Sequence, residues 1–513
     1  MQDLKIWEEK IKEKRKSTEF RDFVKEICSF SPLHIYKING FLSKFPSSDR
    51  IYGVQDGLVF EENRDTLTNK GEEYDFSKNF FLNYKNLFQS INLPALMIQS
   101  DVENANYADS INSSKNVYLS FIVVMNCENV LYSYYIKHNG KNVLNSVMVW
   151  NSCENIYFCS GIINSFNIFY SRYIYHSSNT WFSRNLVGCS ECIFCENLEN
   201  KSYCINNQEL EKSEYFTRKK QILKQKKEFI NWYKNSNTGG MNMGSEKILG
   251  NFVLFSENIQ NGYFVNKVKN GKNLIISGGN EDFENMYDTF CCGGISDFYG
   301  VFASGRLNEN IYCSGNIEKS SNIFYSYFCN DCSFCLGCIG LKNKSFCILN
   351  KQYSKEEWQE LSNKIFATME EDGTLGEFFP GEINPFYFND TMAYFIDDSF
   401  TKEEVEKEGF MWREEKVKVD IPEGAEVVYS TPPARSSLPP QSRGTQGGLN
   451  DYQGFDSSGN WKINPEILKK VIVDKNGDYY RIIKQEYDFL VKHELPLPEI
   501  HWLERIKLSL KFN

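Results

Sequence analysis

The sequence predicts a mainly β protein: two duplicated β-solenoid arrays on a 12–13-residue repeat, with capping helices and small α/β modules at the termini. Three observations carry this. An asparagine recurs every 12 or 13 residues at Asn104, Asn116, Asn129, Asn142, Asn155, Asn167 and Asn179, and Cys192 is read as the next slot. A second run places Asn261, Asn273, Asn285, Asp297, Asn310 and Asn322 at similar intervals, with Cys335 read as next. Both runs close on matching cysteine-rich segments, CSECIFCENLENKSYCINNQ from Cys189 and CSFCLGCIGLKNKSFCILNKQ from Cys332, offset by 143 residues without a gap. A fixed short period marks a solenoid, in which one unit cannot bury its own apolar face and neighbours stack to form a core.

Taken in order, residues 1–100 form an N-terminal module opening on a charged amphipathic helix. The first array spans 101–208, with units such as CENVLYS, CENIYFC and SFNIFYS. Apolar and polar residues alternate over four to six positions before a Ser/Asn/Gly cluster, which predicts one short strand and one turn per unit. Asparagine suits such a corner because it tolerates left-handed geometry, and stacked amides can bond along the axis. Ser120, Ser133, Ser146, Ser171 and Ser183 keep a second register, with Cys159 replacing serine once. The reading leaves open whether a rung holds one unit or two.

A basic helical insertion follows at 209–244, carrying Arg218, Lys219, Lys220, Lys224, Lys226 and Lys227. The second array spans 245–353. Ser354 with Glu357 three residues on predicts a capping box that starts a helix running to about Glu370. Residues 354–429 form a helical and irregular capping region, which includes a short helix from Thr401 closed by Gly409. A Pro/Ser/Gly-rich linker at 430–450 precedes a C-terminal mini-domain at 451–513.

Several of these segments together, namely ENANYADS, the Asn/Cys repeat, CxxCxxCxxLxNKxxCIxNxxYSKEEW, GEFFP…NPFYFNDT and GDYYRIIKQEYDF, resemble a Cys-rich repeat family of candidate-phyla-radiation bacteria. The resemblance runs from about Tyr74 to the C-terminus and implies an architecture but no reaction. It also implies zinc modules at the termini in degenerate form. Cys28 is the isolated survivor of the N-terminal one, and the C-terminal ligand slots fall on Val473, Asn476, His501 and Glu504. Valine cannot ligate zinc and asparagine is a poor ligand, so both modules are expected to fold without metal.

The sharpest chemical candidates are Cys189, Cys192, Cys195 and Cys204, and their counterparts Cys332, Cys335, Cys338 and Cys347 with Cys329 ahead. Thiolates at such spacing can hold zinc or an iron–sulfur cluster. In an extended strand, residues three apart face opposite sides, so convergence on one ion would need the strand to break. Buried packing of small apolar thiols is the favoured reading and leaves zinc as the alternative cofactor. Cys195 and Cys338 are read into the slot of Tyr132, Tyr170 and Phe182.

The charge of −10 and the pI near 5.4 argue against a general grip on nucleic acid or anionic membrane. The opening MQDLKIWEEKIKEKRK lacks an apolar leader core and no long apolar run follows, so a cytoplasmic protein with sixteen reduced cysteines is expected. Three functional readings are weighed. The favoured one is a non-catalytic scaffold binding a protein or glycan partner. A polysaccharide-processing β-helix enzyme would draw on Glu281, Asp282, Asp288 and Asp297. A nucleic-acid binder would use the basic helix at 218–227 with Phe229, Trp232 and Tyr233.

Overall fold

A left-handed backbone residue at nearly every third position sets the architecture of both arrays. In the first array, φ is positive at Asn104, Tyr107, Ser110, Ser113, Asn116 and Leu119, and the rhythm continues to Asn206. Each such residue bends the chain, so the inward direction returns after three residues rather than two. The residue that follows each one points inward: Ile111, Val117, Ser120 and Val123 are almost wholly buried. The expected period-2 alternation is therefore corrected to a triplet. A computed structural model shows this for the described residues, which are 2–38, 40–46, 51–52, 71–99, 101–284, 286–290, 298–302, 305, 307–416, 419, 421, 423–431 and 448–511.

The chain forms two compact units, one comprising 101–238 with 415–511 and the other 1–100 with 239–414. In the first, each turn of the array is one repeat unit and carries two four-residue strands. Strands such as Glu128–Leu131 and Lys141–Leu144 stack in register in a ten-stranded sheet. Strands such as Tyr134–Lys137 and Val147–Trp150 stack in an eight-stranded sheet. Both sheets are parallel except for the closing hairpin, Ser202–Ile205 with Gln208–Glu209. Turns of 13 residues hold one extra left-handed residue at the same corner, giving the pairs Met125–Asn126, His138–Asn139 and Asn151–Ser152.

The triplet makes a four-sided interior. The two strand sides face each other through aliphatic columns, Val117–Val130–Val143–Ile156–Ile168 and Ile111–Val123–Ile136–Val149–Ile162–Ile174. The corners between them carry small side chains. One corner column runs Ser120, Ser133, Ser146, Cys159, Ser171, Ser183 and Cys195, all buried. Each serine hydroxyl there donates to the carbonyl two residues back and accepts the N–H of the next rung, as when Ser133 Oγ bonds Leu131 O at 2.8 Å and receives Ser146 N at 3.2 Å. Satisfying the hydroxyl in this way removes the penalty of burying it. At the opposite corner Gly140 packs closely, and an added Cβ would stand 2.7 Å from Ile136 Cγ2.

Helices are numbered in chain order: α1 (Gln2–Ser17), α2 (Phe20–Glu26), α3 (Phe80–Ser90), α4 (Lys212–Ile222), α5 (Phe229–Asn235), α6 (Lys355–Glu371), α7 (Met392–Ile396), α8 (Lys402–Lys407), α9 (Lys484–Lys492) and α10 (Trp502–Ser509). The insertion is thus two helices, broken between α4 and α5. In the first unit α5 inserts Phe229 among Tyr170, Trp181 and Phe182, while α9 and α10 lay Phe489 on Tyr157 and Trp502 on Phe121. A fully buried ion pair, Arg505 with Glu486 at 2.8 Å, anchors α9 to α10, and the guanidinium lies over the rings of Tyr132 and Tyr480.

In the second unit the strands run from Glu246–Leu254 to Lys351–Gln352 in one nine-stranded sheet. The triplet interior holds there too, through Ile311, Ser314, Ile317, Ser320, Ile323 and Ser326. Arg15 of α1 pairs with buried Asp288 at 2.7 Å and with Glu26 at 3.0 Å. Helix α6 starts on the expected Ser354–Glu357 capping box and packs Phe366 against Phe324. Thr401 caps α8.

Candidate functional site

The asparagine column runs along one strand side of the first array. Each of its asparagines is left-handed, with φ between 50° and 56°. Amide Nδ2 donates to the next Oδ1 from Asn104 through Asn116, Asn129, Asn142, Asn155 and Asn167 to Asn179, at 2.9–3.1 Å. One N–H and one oxygen lone pair per residue remain outside the ladder. Beside it stand Glu103, Lys115, Glu128, Lys141 and Glu154, alternating in charge, with Lys115 to Glu128 at 3.3 Å.

Register corrects the expected end of this column. Ser178 pairs with Ser190 and Thr180 with Cys192, so Glu191 takes the ladder slot and Cys192 stands inside, in the aliphatic strand column. Likewise Ile323 pairs with Cys335, which puts Phe334 in the slot after Asn322. Cys195 and Cys338 are also reassigned, from the aromatic slot to the serine corner, because their N–H groups donate to Ser183 Oγ and Ser326 Oγ. In the second array Asn261 bonds Asn273 at 3.1 Å and Asn310 bonds Asn322 at 3.4 Å. Asn273 then donates to Asp288 Oδ1 at 2.8 Å, across an interval of 15 residues. Asn285 and Asp297 lie outside the described residues.

The triplet also changes the geometry of the cysteines. Because every third residue faces inward, Cys329, Cys332, Cys335 and Cys338 occupy the four sides of a single turn, and Cys347 stands in register one rung beyond Cys335. In the first array Cys189 and Cys195 sit at the corners flanking Cys192, with Cys204 in register beyond it. All nine are buried. Each thiol of the two four-cysteine sets turns to the carbonyl two residues back, as in Cys189 to Val187 O at 3.4 Å and Cys332 to Asn330 O at 3.2 Å. Among the described residues no three His, Cys, Asp or Glu side chains already stand around a metal position.

Clustering separates these thiols from the other interior cysteines. Burial is the main cause that pushes Cys153, Cys159 and Cys313 up to about 12. By contrast, neighbouring thiols draw Cys189 and Cys332 below the usual thiol range, Cys192 acting on the first and Cys329 and Cys335 on the second. Cys192 and Cys335 are pushed up in exchange.

The other candidates are structural in their placement. Asp288 is engaged by Arg15 and Asn273, the side chains of Glu281 and Asp282 fall outside the described ones, and Asp297 is likewise undescribed. His34 and His493 are held down to about 4 by burial. On the basic insertion, Phe229 and Tyr233 are wholly buried and Trp232 packs edge-on against Phe182 and Phe194. Lys219 pairs with Glu191 at 2.6 Å, and buried Lys226 donates to Glu494 O at 2.5 Å. In the C-terminal module Asp474, which sequence reasoning passed over, ties the turn together: its carboxylate accepts Asn476 N, Asp478 N and His501 N at 2.8, 3.0 and 3.2 Å. No helix of the described residues is long and apolar enough to cross a membrane. Compared with protein-family models, curated proteins and solved structures, the chain matches none.

Proposed function

We propose that the protein is a non-catalytic β-solenoid scaffold that binds an extended, hydroxyl-rich chain of the glycan class along the asparagine face of the first array. The amide ladder carries this reading. It sets seven asparagine amides, joined by six hydrogen bonds, at the rung spacing of about 4.8 Å, and each amide inside the ladder keeps one N–H and one lone pair outside it. Such an array matches a polymer that offers hydroxyls along one edge. Its side chains are already ordered by their neighbours, so little rotamer entropy is lost on binding.

Affinity electrophoresis through gels cast with neutral and acidic polysaccharides tests the proposal. Retardation by one class, relieved in the Lys115→Ala, Lys141→Ala double variant for an acidic chain or in Asn129→Ala for a neutral one, supports it. Migration unchanged in every polysaccharide overturns it, as does release of new reducing ends or unsaturated sugars, which would mark an enzyme.

A further inference from the structure

We propose that each array ends in a structural zinc site, held by Cys189, Cys192, Cys195 and Cys204 in the first array and by Cys332, Cys335, Cys338 and Cys347 in the second. This goes beyond the binding face and stands independently of it. The argument starts from side-chain size. The strand column that carries Cys192 and Cys204 holds Val143, Ile156, Ile168 and Thr180 in the preceding turns. The matching column of the second array runs Ile311, Ile323, Cys335 and Cys347. In both arrays the interior narrows to thiols in the same two final rungs, and the two flanking corners change from serine to cysteine in the first of those rungs.

The resulting donor set has the composition zinc requires, and rotation about χ1 would have to bring the sulfurs onto one ion. Two corner thiols face each other across the interior, and the central pair adds one sulfur from the same rung and one from the next. Four sulfurs that do not share a plane can surround a tetrahedral ion, and a closed set of four thiolates is the composition of a structural rather than a catalytic zinc centre. The metal-free fold leaves each thiol on the carbonyl two residues back, at 3.4 Å for Cys204 and 3.5 Å for Cys338. Those weak S–H bonds are what deprotonation and rotation about χ1 would release. On binding, each cysteine loses its S–H proton to solvent and the sulfur lone pair goes to the ion, so no oxidant or reductant is involved.

Two further observations point to the same place. Between the two copies all four thiols are retained, together with the serine pairs Ser190–Ser202 and Ser333–Ser345 beside them, while Glu191 corresponds to Phe334 and Phe194 to Gly337. Helix α4 also closes the first cluster with Tyr215, which is fully buried beside Glu191, Cys192 and Cys195. In the second copy the equivalent aromatic, Trp358, donates Nε1 to Cys347 O at 3.2 Å.

The test uses the full chain, reduced, loaded with zinc alone and desalted, with metal counted by mass spectrometry. About two ions per chain are expected for four thiolates per site. Cys192→Ser with Cys195→Ser, and separately Cys335→Ser with Cys338→Ser, should each lower the count to about one. Serine fills the corner slots of Cys195 and Cys338 in other turns, and Thr180 already puts a hydroxyl in the strand column of Cys192, so the fold should survive, and circular dichroism checks this. Cys153→Ser with Cys159→Ser should leave the count unchanged. Cobalt loading should give a thiolate charge-transfer band of four-sulfur intensity that halves in either double variant. Retention of less than a tenth of an equivalent by the native chain overturns the proposal. So does a count that both cluster variants leave unchanged, which would place any bound zinc elsewhere.

Discussion

Asn142 lies at the middle of the amide ladder and should be among its most sensitive positions. Its amide donates to Asn155 at 3.1 Å and its oxygen accepts from Asn129 at 2.9 Å, at a backbone φ of 53°. Asn142→Ala removes two neutral hydrogen bonds, each worth about 0.5–1.5 kcal/mol net. It also places alanine in a left-handed conformation that costs about 1 kcal/mol. The sum is about 2–4 kcal/mol against local opening of the array. Asn142→Gly loses the same bonds but accepts the backbone, so it should retain about 0.5–1 kcal/mol more than alanine. Hydrogen exchange of peptides spanning residues 128–157 reads this directly. At about 1.4 kcal/mol per tenfold, alanine should speed exchange by roughly 30- to 1000-fold, with glycine clearly less affected. An alanine variant that exchanges like the native chain, or more slowly than the glycine variant, would refute the reasoning.

Other perturbations have equally definite outcomes. Arg505→Met leaves Glu486 buried without its partner and should destabilise the first unit by about 3–5 kcal/mol in urea unfolding, while adding Glu486→Gln should recover part of the loss. Cys153→Ser should cost less than about 1 kcal/mol, because Ser165 and Ser177 fill the same column in the next turns. His34, packed edge-on to Tyr36 and facing Asp390 and Arg413, is held down to about 4 by burial. Its folded value lies below the unfolded one near 6.5, so the unfolded chain binds the proton first and stability falls as pH drops from about 6.5 toward 4. The loss approaches about 3 kcal/mol at pH 4. His34→Phe should flatten that part of the pH–stability curve, and an unchanged slope would show that the imidazole is not buried neutral.

Much of the architecture was legible in the 12–13-residue asparagine period, because left-handed corners and amide stacking both select that residue. The one-unit turn and the triplet were not. CENVLYS and SFNIFYS read equally well as alternating strands, since aliphatic Val130 or Ile168 is followed by a second apolar residue that packs outward under a helix or module. Three residues per side became visible only through the backbone, where Tyr132, Phe158 and Phe182 also adopt positive φ. No propensity rule assigns bulky aromatics to that conformation. The cysteine slots were misplaced by one residue for the same reason. An extended strand turns residues three apart to opposite faces, whereas a left-handed bend every third residue turns them all inward. Conversely, Ser354 and Glu357 announced α6 because a capping box is purely local. The pairing of residues 415–511 with the first array, and of 1–100 with the second, rests on contacts far apart in sequence that no local pattern encodes.

Distances between spin labels on the exposed asparagine side test the single-unit turn most directly. Glu128 and Glu154 lie two turns apart, and Lys115 and Phe166 four turns apart, all on one sheet. With a rung spacing of about 4.8 Å, nitroxides at Cys substitutions of the first pair should sit about 10 Å apart and those of the second about 19 Å. Separations that grow by one rung per repeat support the account. Values near half of these would mean two units per turn, and distances that do not scale with repeat number would contradict the solenoid itself.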